Sequence, residues 1–164
     1  MNEFEIIKSY FQILAKKNQN SKKLNDDIFY DKKNKLAVTV DTYNYGIHFL
    51  NFQKPDLVIK KIIRSSISDL VCKGVKPKYY FISASGSKNY FRKKNLKLIK
   101  GALKQEQKKF DILLSGGDTT KSKSLSFSIT SIGFANKIVE RNKAKINDDI
   151  YAVSYTHLTL PTSY

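Results

Sequence analysis

The sequence predicts an α+β fold, in which a mixed or antiparallel sheet is flanked by helices. Apolar residues recur at helical spacing in three segments and alternate with polar residues in another, and helices and strands do not alternate strictly along the chain. The chain has 164 residues, of which 41% are hydrophobic and 12% aromatic. These values suit a single globular domain with its own core.

Three helices are predicted. The first covers residues 3–15. Its apolar residues at helical spacing are Phe4, Ile7, Phe11 and Leu14. The second begins at Pro55, a favoured first-turn position, with Asp56 beside it to meet the helix dipole, and ends at Gly74. Its apolar face comprises Val58, Ile59, Ile62, Ile63, Ile67, Leu70 and Val71. The third helix, over 90–109, has a strongly basic outer face.

Five strands are predicted, over 36–41, 79–85, 110–114, 125–134 and 149–153. The clearest alternation lies in 125–134, where Leu125, Phe127 and Ile129 form one apolar face. The alternation slips at Ser131, which predicts a bulge there. We expect 110–114 to be a short buried strand that leads into a turn at the next two glycines.

Charge and cysteine content limit the partners and the compartment. Thirty Lys and Arg residues against fourteen Asp and Glu give a formal net charge of +16. Solvated surface lysines are the simplest interpretation, while a nucleic-acid face and attraction of phosphorylated ligands stay open. The single cysteine, Cys72, excludes an internal disulfide and favours the cytoplasm. No apolar run is long enough for a membrane span, and the N-terminus lacks the features of a signal peptide.

Aspartates stand where predicted strands and helices begin or end: Asp26, Asp27, Asp41, Asp69 and Asp118. Each one alone is most simply a turn or cap residue. Together they suit a hard divalent cation such as Mg²⁺, whereas a content of two His and one Cys disfavours a zinc site. The stretch LLSGGDTT supplies a second clue, because a Gly-Gly turn lets backbone N–H groups approach a phosphate.

Five blocks in order resemble the thiamine-monophosphate kinase family, part of the superfamily related to aminoimidazole ribonucleotide synthetase. The blocks are DD at 26–27, VTVDT…GIHF at 38–49, SSISDLVCKGVKP at 65–77, LLSGGDTT at 113–120 and RNKAKINDDIY at 141–151. The resemblance covers about residues 3–153. It implies an N-terminal domain that binds ATP and Mg²⁺ and pairs with a second copy into a dimeric barrel.

The resemblance implies a role for each matching residue in the ATP-dependent phosphorylation of thiamine monophosphate to thiamine diphosphate. The expected Mg²⁺ ligands are Asp27, Thr39, Val40 (through its backbone), Asp41, Asp69 and Asp118. The expected ATP contacts are Gly117, Asp118 and Arg141, and His48 is expected to contact the substrate. No covalent nucleophile is expected, since neither Ser115 nor Cys72 has a base partner in the sequence.

Some positions depart from the family pattern. Asn25 and Asn147 stand where glycine is usual, and Asn tolerates left-handed backbone geometry. Tyr45 replaces an acidic residue, and Ser66 replaces an asparagine. None of these changes removes a matched aspartate.

The resemblance stops near residue 153, where the family continues into a second domain. We therefore expect an N-terminal half that binds Mg–nucleotide weakly and does not turn over. Residues 154–164 contain no charged residue and are predicted to be a non-native or disordered tail. The strand at 125–134 is a candidate for dimer pairing, its alternative being an internal core strand.

Two other functions stay open from the sequence. The first is another ATP-using member of the same superfamily, similar to selenophosphate synthetase or to hydrogenase-maturation proteins. The second is a basic, non-enzymatic nucleic-acid-binding module, which is disfavoured because its aromatic strand at 79–81 lacks interleaved basic residues.

Overall fold

The computed structural model describes residues 2–149 and contains four α-helical segments. They are α1 (Glu3–Ile6), α2 (Gln12–Ala15), α3 (Pro55–Val71) and α4 (Lys93–Phe110). A π-helical segment, Ile7–Phe11, joins α1 to α2, and 3₁₀ turns occupy Gln19–Leu24 and Arg141–Lys143. In the described part of the chain no helix is long and apolar enough to cross a membrane.

The strands form one mixed sheet, which confirms the predicted α+β class. They are β1 (Phe29–Asp31), β2 (Leu36–Asn44), β3 (Lys76–Gly86), β4 (Leu113–Lys121) and β5 (Ser126–Phe134). The spatial order is β1-β2-β5-β3-β4. The pair β3–β4 is parallel, and the other pairs are antiparallel.

Helix α3 covers one face of the sheet, as its apolar pattern predicts. Pro55 is its first residue, and Gly74 just after its end has φ +74°, which glycine tolerates best. Six of the seven predicted core positions are buried: Val58, Ile59, Ile62, Ile63, Ile67 and Leu70. The seventh prediction was wrong, because Val71 at the last turn has rotated towards solvent and is 54% exposed.

Helix α4 packs against α3 through a mixed contact. Ala102 is buried in the apolar core, and Glu106, only 2% exposed, accepts two 2.7 Å bonds from the Nε and Nη2 atoms of Arg64 on α3. The paired charges allow an acidic side chain to be buried between two helices. The lysines of α4 face outward, as its basic pattern predicts.

The interior of β5 differs from the prediction. Phe127, Ile129 and Ser131 are all buried, so the period of two continues through the expected bulge. The Ser131 hydroxyl lies 3.0 Å from that of Ser66, which satisfies both polar groups inside the core. The register shift instead lies in β3, between Pro77 and Tyr79.

The position of β5 also corrects its proposed role in dimer pairing. It is hydrogen-bonded on one side to β2 and on the other to β3, so it is the central strand of the five and offers no free edge to a second copy. Among the described strands, β4 is an edge strand, and every one of its residues is exposed.

The two glycines of LLSGGDTT do not form a turn. Gly116 and Gly117 lie in the extended strand β4, which begins at Leu113 and is not buried as predicted. A Cβ at Gly117 would overlap the carbonyl oxygen of Ile82 on β3. Glycine is needed here so that two parallel strands can approach each other beside a β-bulge.

The N-terminal segment is helical as predicted, but three of its four predicted apolar contacts are exposed. Phe4, Phe11 and Leu14 have exposed fractions of 70%, 49% and 78%. The predicted tail at 154–164, and the predicted strand at 149–153 apart from its first residue, lie outside the described residues. The division into domains stays a prediction.

The two asparagines that replace family glycines behave differently. Asn147 has φ +75°, so it does occupy left-handed geometry. Asn25 has φ −105°, which any residue adopts.

Candidate functional site

Three aspartates from separate segments meet at one end of α3. Asp27 lies in the loop before β1, Asp41 lies on β2, and Asp69 lies in the last turn of α3. The period of two puts Asp41 on the same face of β2 as Thr39 and the buried Ala37, which is the face that α3 covers. Helix packing therefore carries Asp69 to the strand that holds Asp41.

Thr39 connects the loop to the helix. Its side chain is buried, and its hydroxyl lies 3.2 Å from the Asp27 carbonyl oxygen and 3.3 Å from Asp69 Oδ2. Next to it, Val40 exposes its side chain on the opposite face of the strand.

The aspartates of this site repel one another. Burial, and then the nearby charges of Asp41 and Asp27, raise the pKa of Asp69 from 3.8 to about 6. The pKa of Asp41 is also raised, first by burial and further by Asp27, although the nearby Ser66 hydroxyl acts in the opposite direction. Ionising these carboxyls together in a partly desolvated place is unfavourable unless positive charge is added.

Arg141 and Lys73 supply positive charge at the rim. Arg141 Nη2 lies 2.6 Å from Asp27 Oδ1, and Lys73 Nζ lies 2.6 Å from Asp26 Oδ1. Burial alone would raise the pKa of Asp26, but the Lys73 ammonium and the N–H groups of Arg141 and Asp27 outweigh it, so the pKa is lowered. Asp26 therefore stays ionised to a lower pH than Asp69, whose carboxyl takes up a proton more readily.

A cavity of about 280 Å³ opens onto this cluster. Its lining includes Glu3, Phe4, Ile7, Leu24, Asn25, Asp26, Asp27, Val40, Asp41, Asp69 and Arg141. A neighbouring hollow of about 650 Å³ shares Asn25, Asp26 and Arg141. It adds Lys16, Lys22, Lys23 and Glu140, so lysines still predominate although Glu140 pairs with Lys22. An acidic cavity thus adjoins a basic one, which suits a cation and an anionic ligand bound side by side.

The carboxylate and hydroxyl oxygens of this cavity are suitable ligands for a hard divalent cation, although they do not yet surround a single point. Within residues 2–149, no three His, Cys, Asp or Glu side chains stand close enough to hold a metal ion as they are. However, Asp41 Oδ2 is buried without a hydrogen-bond partner. A buried carboxylate oxygen lacking a partner, beside two further carboxylates and a hydroxyl, is the chemistry that Mg²⁺ satisfies.

The other predicted site residues lie elsewhere. Asp41 aligns with Ile129, then Ile82, and then Gly117, three strands across the sheet. Since neighbouring strands are about 4.8 Å apart, Gly117 lies roughly 14 Å from Asp41, and Asp118 follows it on the exposed β4 edge.

His48 lies in the turn after β2. Its Nδ1 accepts a 2.9 Å bond from the Asn44 N–H, and its ring packs edge-on against Tyr43. Asn44 is three residues beyond Asp41 on β2, about 10 Å along the strand. His48 therefore stabilises a turn at some distance from the aspartates.

Neither the burial of Lys73 nor its ion pair with Asp26 was predicted from the sequence. Lys73 is 5% exposed, and only its place just after the helix that carries Asp69 distinguishes it from the other Lys and Arg residues, which bring the total to thirty. Cys72 beside it is exposed, and its thiol donates to the Asp69 carbonyl oxygen at 3.3 Å.

Comparison with known proteins identifies the family. Residues 25–135 match AIR synthase related protein, N-terminal domain. The chain belongs to this family. The matched range contains the Asp27, Asp41 and Asp69 cluster and the whole sheet, so the family domain and the sheet coincide.

The predicted resemblance to thiamine-monophosphate kinases is confirmed. The chain is 34% identical over 161 residues to the thiamine-monophosphate kinase of Haemophilus influenzae, covering 94% of this chain and 48% of the relative. It is also 34% identical over 157 residues to that of Buchnera aphidicola from Acyrthosiphon pisum, covering 91% of this chain and 47% of the relative. The chain thus spans about half the length of the curated relatives it matches.

Solved structures agree with the fold. The structure described as AaThiL complexed with AMPPCP and TMP superposes with a TM-score of 0.72 at 27% identity, over 88% of this chain and 47% of the other. A HypE-HypF complex superposes with a TM-score of 0.63 at 17% identity, over 85% of this chain and 46% of the other, which shows a shared fold only.

Proposed function

We propose that this chain is the cation- and nucleotide-binding part of an enzyme that uses ATP to phosphorylate thiamine monophosphate to thiamine diphosphate. The observation that carries the proposal is the convergence of Asp27, Asp41 and Asp69 on one cavity. It is supported by relatives that are thiamine-monophosphate kinases, one of them solved with AMPPCP and TMP. The cytoplasmic location stays a prediction from the single cysteine.

In this proposal the three carboxylates hold Mg²⁺, helped by the Thr39 hydroxyl and the Val40 backbone. When bound there, the ion would neutralise charge on the transferring phosphate in an in-line displacement. Asp41 Oδ2 is buried without a hydrogen-bond partner, so coordination of the ion would supply the interaction that this oxygen lacks. The Thr39 hydroxyl bonds to both Asp69 and the Asp27 backbone, which fixes the distance between these two proposed metal ligands.

Arg141 would exchange partners when the site fills. Its guanidinium now neutralises Asp27, and its side chain is 51% exposed. A cation bound to Asp27 would release the planar Arg141 guanidinium, which can then bind two oxygens of a nucleotide phosphate. The basic hollow beside it would receive the rest of the anionic nucleotide.

Gly117 and Asp118 are proposed as a separate nucleotide or cation contact on the β4 edge, and His48 as a substrate contact. Their distance from the three-aspartate cluster requires an extended ligand or a second subunit. No covalent intermediate is proposed.

A homodimer is part of the proposal. Exposed apolar residues lie on the sheet face away from α3: Val40, Tyr79, Phe81 and Phe134. A second copy packed there would cover them, and β4 offers unpaired strand edge close by. Sedimentation velocity would show a dimer, and a monomer at micromolar concentration would contradict this part.

The test is calorimetric titration of AMPPCP in Mg²⁺ and then in EDTA. The wild-type chain should bind only with Mg²⁺, and Asp69→Asn should abolish the metal-dependent part. Asp111→Asn, an exposed aspartate paired with Lys78, is the control and should bind as the wild type does. Asp118→Asn decides whether the β4 aspartate takes part.

Metal-independent binding that survives Asp69→Asn would contradict the proposal. Weak binding that rises steeply as salt is lowered would favour a general anion surface instead.

A further inference from the structure

A lysine is buried at the edge of the acidic cavity. The side chains of Lys73 and Asp26 are 7% and 5% exposed, and Lys73 Nζ lies 2.6 Å from Asp26 Oδ1. Most other lysines of this chain lie on the surface. Burying an ammonium and a carboxylate costs desolvation energy even when they are paired, so such a pair calls for a specific explanation.

Both oxygens of the Asp26 carboxylate are occupied by this chain. Oδ1 accepts from Lys73 and, at 2.9 Å, from the backbone N–H of Asp27, and Oδ2 accepts from the backbone N–H of Arg141 at 3.4 Å. A carboxylate engaged in this way is held in place, and its oxygens already have partners from this chain. Its neighbour Asp27 keeps a side chain that is 39% exposed.

Lys73 also joins the segments that carry the site. Its backbone carbonyl accepts the Val139 N–H at 3.0 Å, two residues before Arg141. Through its side chain it reaches Asp26 in the loop of Asp27, and through the helix it follows Asp69 by four residues. One residue therefore ties together the end of α3, the aspartate loop and the segment leading to Arg141.

The charges of the site depend on the same lysine. Asp26, Asp27, Asp41 and Asp69 bring four formal negative charges, of which Lys73 offsets one. Without Lys73, a fourth carboxylate would be available next to Asp27, and the site would attract cations more strongly even without a nucleotide.

We propose that Lys73 is a positioning residue that withholds Asp26 from the cation site, so that the cation binds to Asp27, Asp41 and Asp69 and binds firmly only together with the nucleotide phosphates. This inference rests on the proposed function, because it takes the three-aspartate cavity to be the cation site. It assigns a separate role to each member of the Asp26-Asp27 pair.

The test measures the binding of Mn²⁺ alone, from the free-ion electron paramagnetic resonance signal at pH 7.5. Lys73→Met keeps the length of the side chain and removes the charge, and it should tighten Mn²⁺ binding about fivefold or more. Lys73→Arg should bind as the wild type does. Asp26→Asn leaves Lys73 unpaired and should weaken binding, and the double variant K73M/D26N should return close to the wild type.

Lys78→Met is the matched control. It removes one lysine and breaks its 3.2 Å ion pair with Asp111, away from the cavity. It changes net charge by the same amount as Lys73→Met, so it should leave Mn²⁺ binding unchanged. The coupling between Mn²⁺ and AMPPCP should shrink in Lys73→Met and stay intact in Lys78→Met.

The outcomes separate this inference from the proposed function. Equal Mn²⁺ affinity in the wild type and Lys73→Met overturns the inference without contradicting the proposed cation site. If Lys73→Met also has a lower melting temperature, Lys73 has a structural role only. No Mn²⁺ binding in any variant overturns the inference, and the proposed function falls with it only if AMPPCP also fails to bind in the presence of Mg²⁺. If Lys73→Met does not fold by circular dichroism, the neutral pair K73M/D26N and the single variant Asp26→Asn still decide, since equal affinity in all folded variants contradicts the proposal.

Discussion

Neutralising Asp69 should stabilise the protein in the absence of metal. Asp69 is crowded by Asp41 and Asp27 and partly buried, and its pKa of about 6 stands against 3.8 for the free side chain. A proton thus binds more tightly to Asp69 in the folded than in the unfolded chain. Its ionisation destabilises the fold progressively as the pH rises from about 4 through about 6.

The magnitude follows from the pKa difference. The gap between 3.8 and about 6 corresponds to about 3 kcal/mol, and solvent screening of a half-buried group reduces this to about 1.5 kcal/mol. Asp69→Asn should therefore raise the free energy of unfolding at pH 7.5 in EDTA by about 1–2 kcal/mol. For a chain of this length, that corresponds to a melting temperature higher by about 3–6 °C.

The assay is urea denaturation followed by circular dichroism at pH 7.5 and pH 4, with and without Mg²⁺. The advantage of Asp69→Asn should shrink towards zero at pH 4, where the wild-type carboxyl is protonated in the folded chain. Mg²⁺ should stabilise the wild type and not the variant. Asp111→Asn serves as a control, because Lys78 and Lys76 lower the pKa of that carboxyl and reverse the sign of its contribution. If Asp69→Asn is less stable than the wild type in EDTA at pH 7.5, the electrostatic account of the site is wrong.

Two further predictions concern the framework around the site. Gly117→Ala should lower the free energy of unfolding by about 2 kcal/mol or more, since its Cβ would overlap the Ile82 carbonyl. Gly101→Ala on α4, which has open space around it, should instead raise the free energy of unfolding by about 0.5–1 kcal/mol. Equal effects of the two variants in urea denaturation would show that β3 and β4 do not approach closely. Glu106→Gln should cost about 3 kcal/mol by leaving the Arg64 guanidinium without its buried carboxylate, and a loss below about 1 kcal/mol in the same assay would contradict the burial of this pair.

The elements that the sequence predicts well are those whose apolar period is long and uninterrupted. Helix α3 follows its pattern almost to the end, and β5 follows its alternation even where Ser131 breaks the apolar run. That serine is buried because Ser66 on α3 faces it, a partnership between distant residues that no local pattern can reveal. The expected bulge was therefore wrong for a tertiary reason.

The glycine pair shows a different limit. Gly-Gly is typical of turns, but Gly116 and Gly117 lie in a strand because Phe81 and Ile82 of β3 leave no room for a Cβ. A local preference for a turn was overruled by the contact between strands. The exposure of Leu113 on β4 follows from the same edge position.

The site was predictable as a set of residue types and only partly as a place. Order and chemistry single out Asp27, Asp41 and Asp69, and the packing of α3 on β2 brings them to one cavity. Asp118 was grouped with them by chemistry alone, whereas sheet order puts it three strands away. The buried pairing of Lys73 with Asp26 could not be predicted, since burial of a lysine depends on a partner 47 positions away in the sequence.

The most direct test of the central claim is a crystal structure with Mn²⁺ and AMPPCP, using the anomalous signal of the metal. The account predicts a peak about 2.2 Å from carboxylate oxygens of Asp27, Asp41 and Asp69, with Asp26 still bonded to Lys73 and Arg141 turned to a phosphate. A peak confined to other side chains, or a nucleotide bound with no metal at these three aspartates, would contradict it.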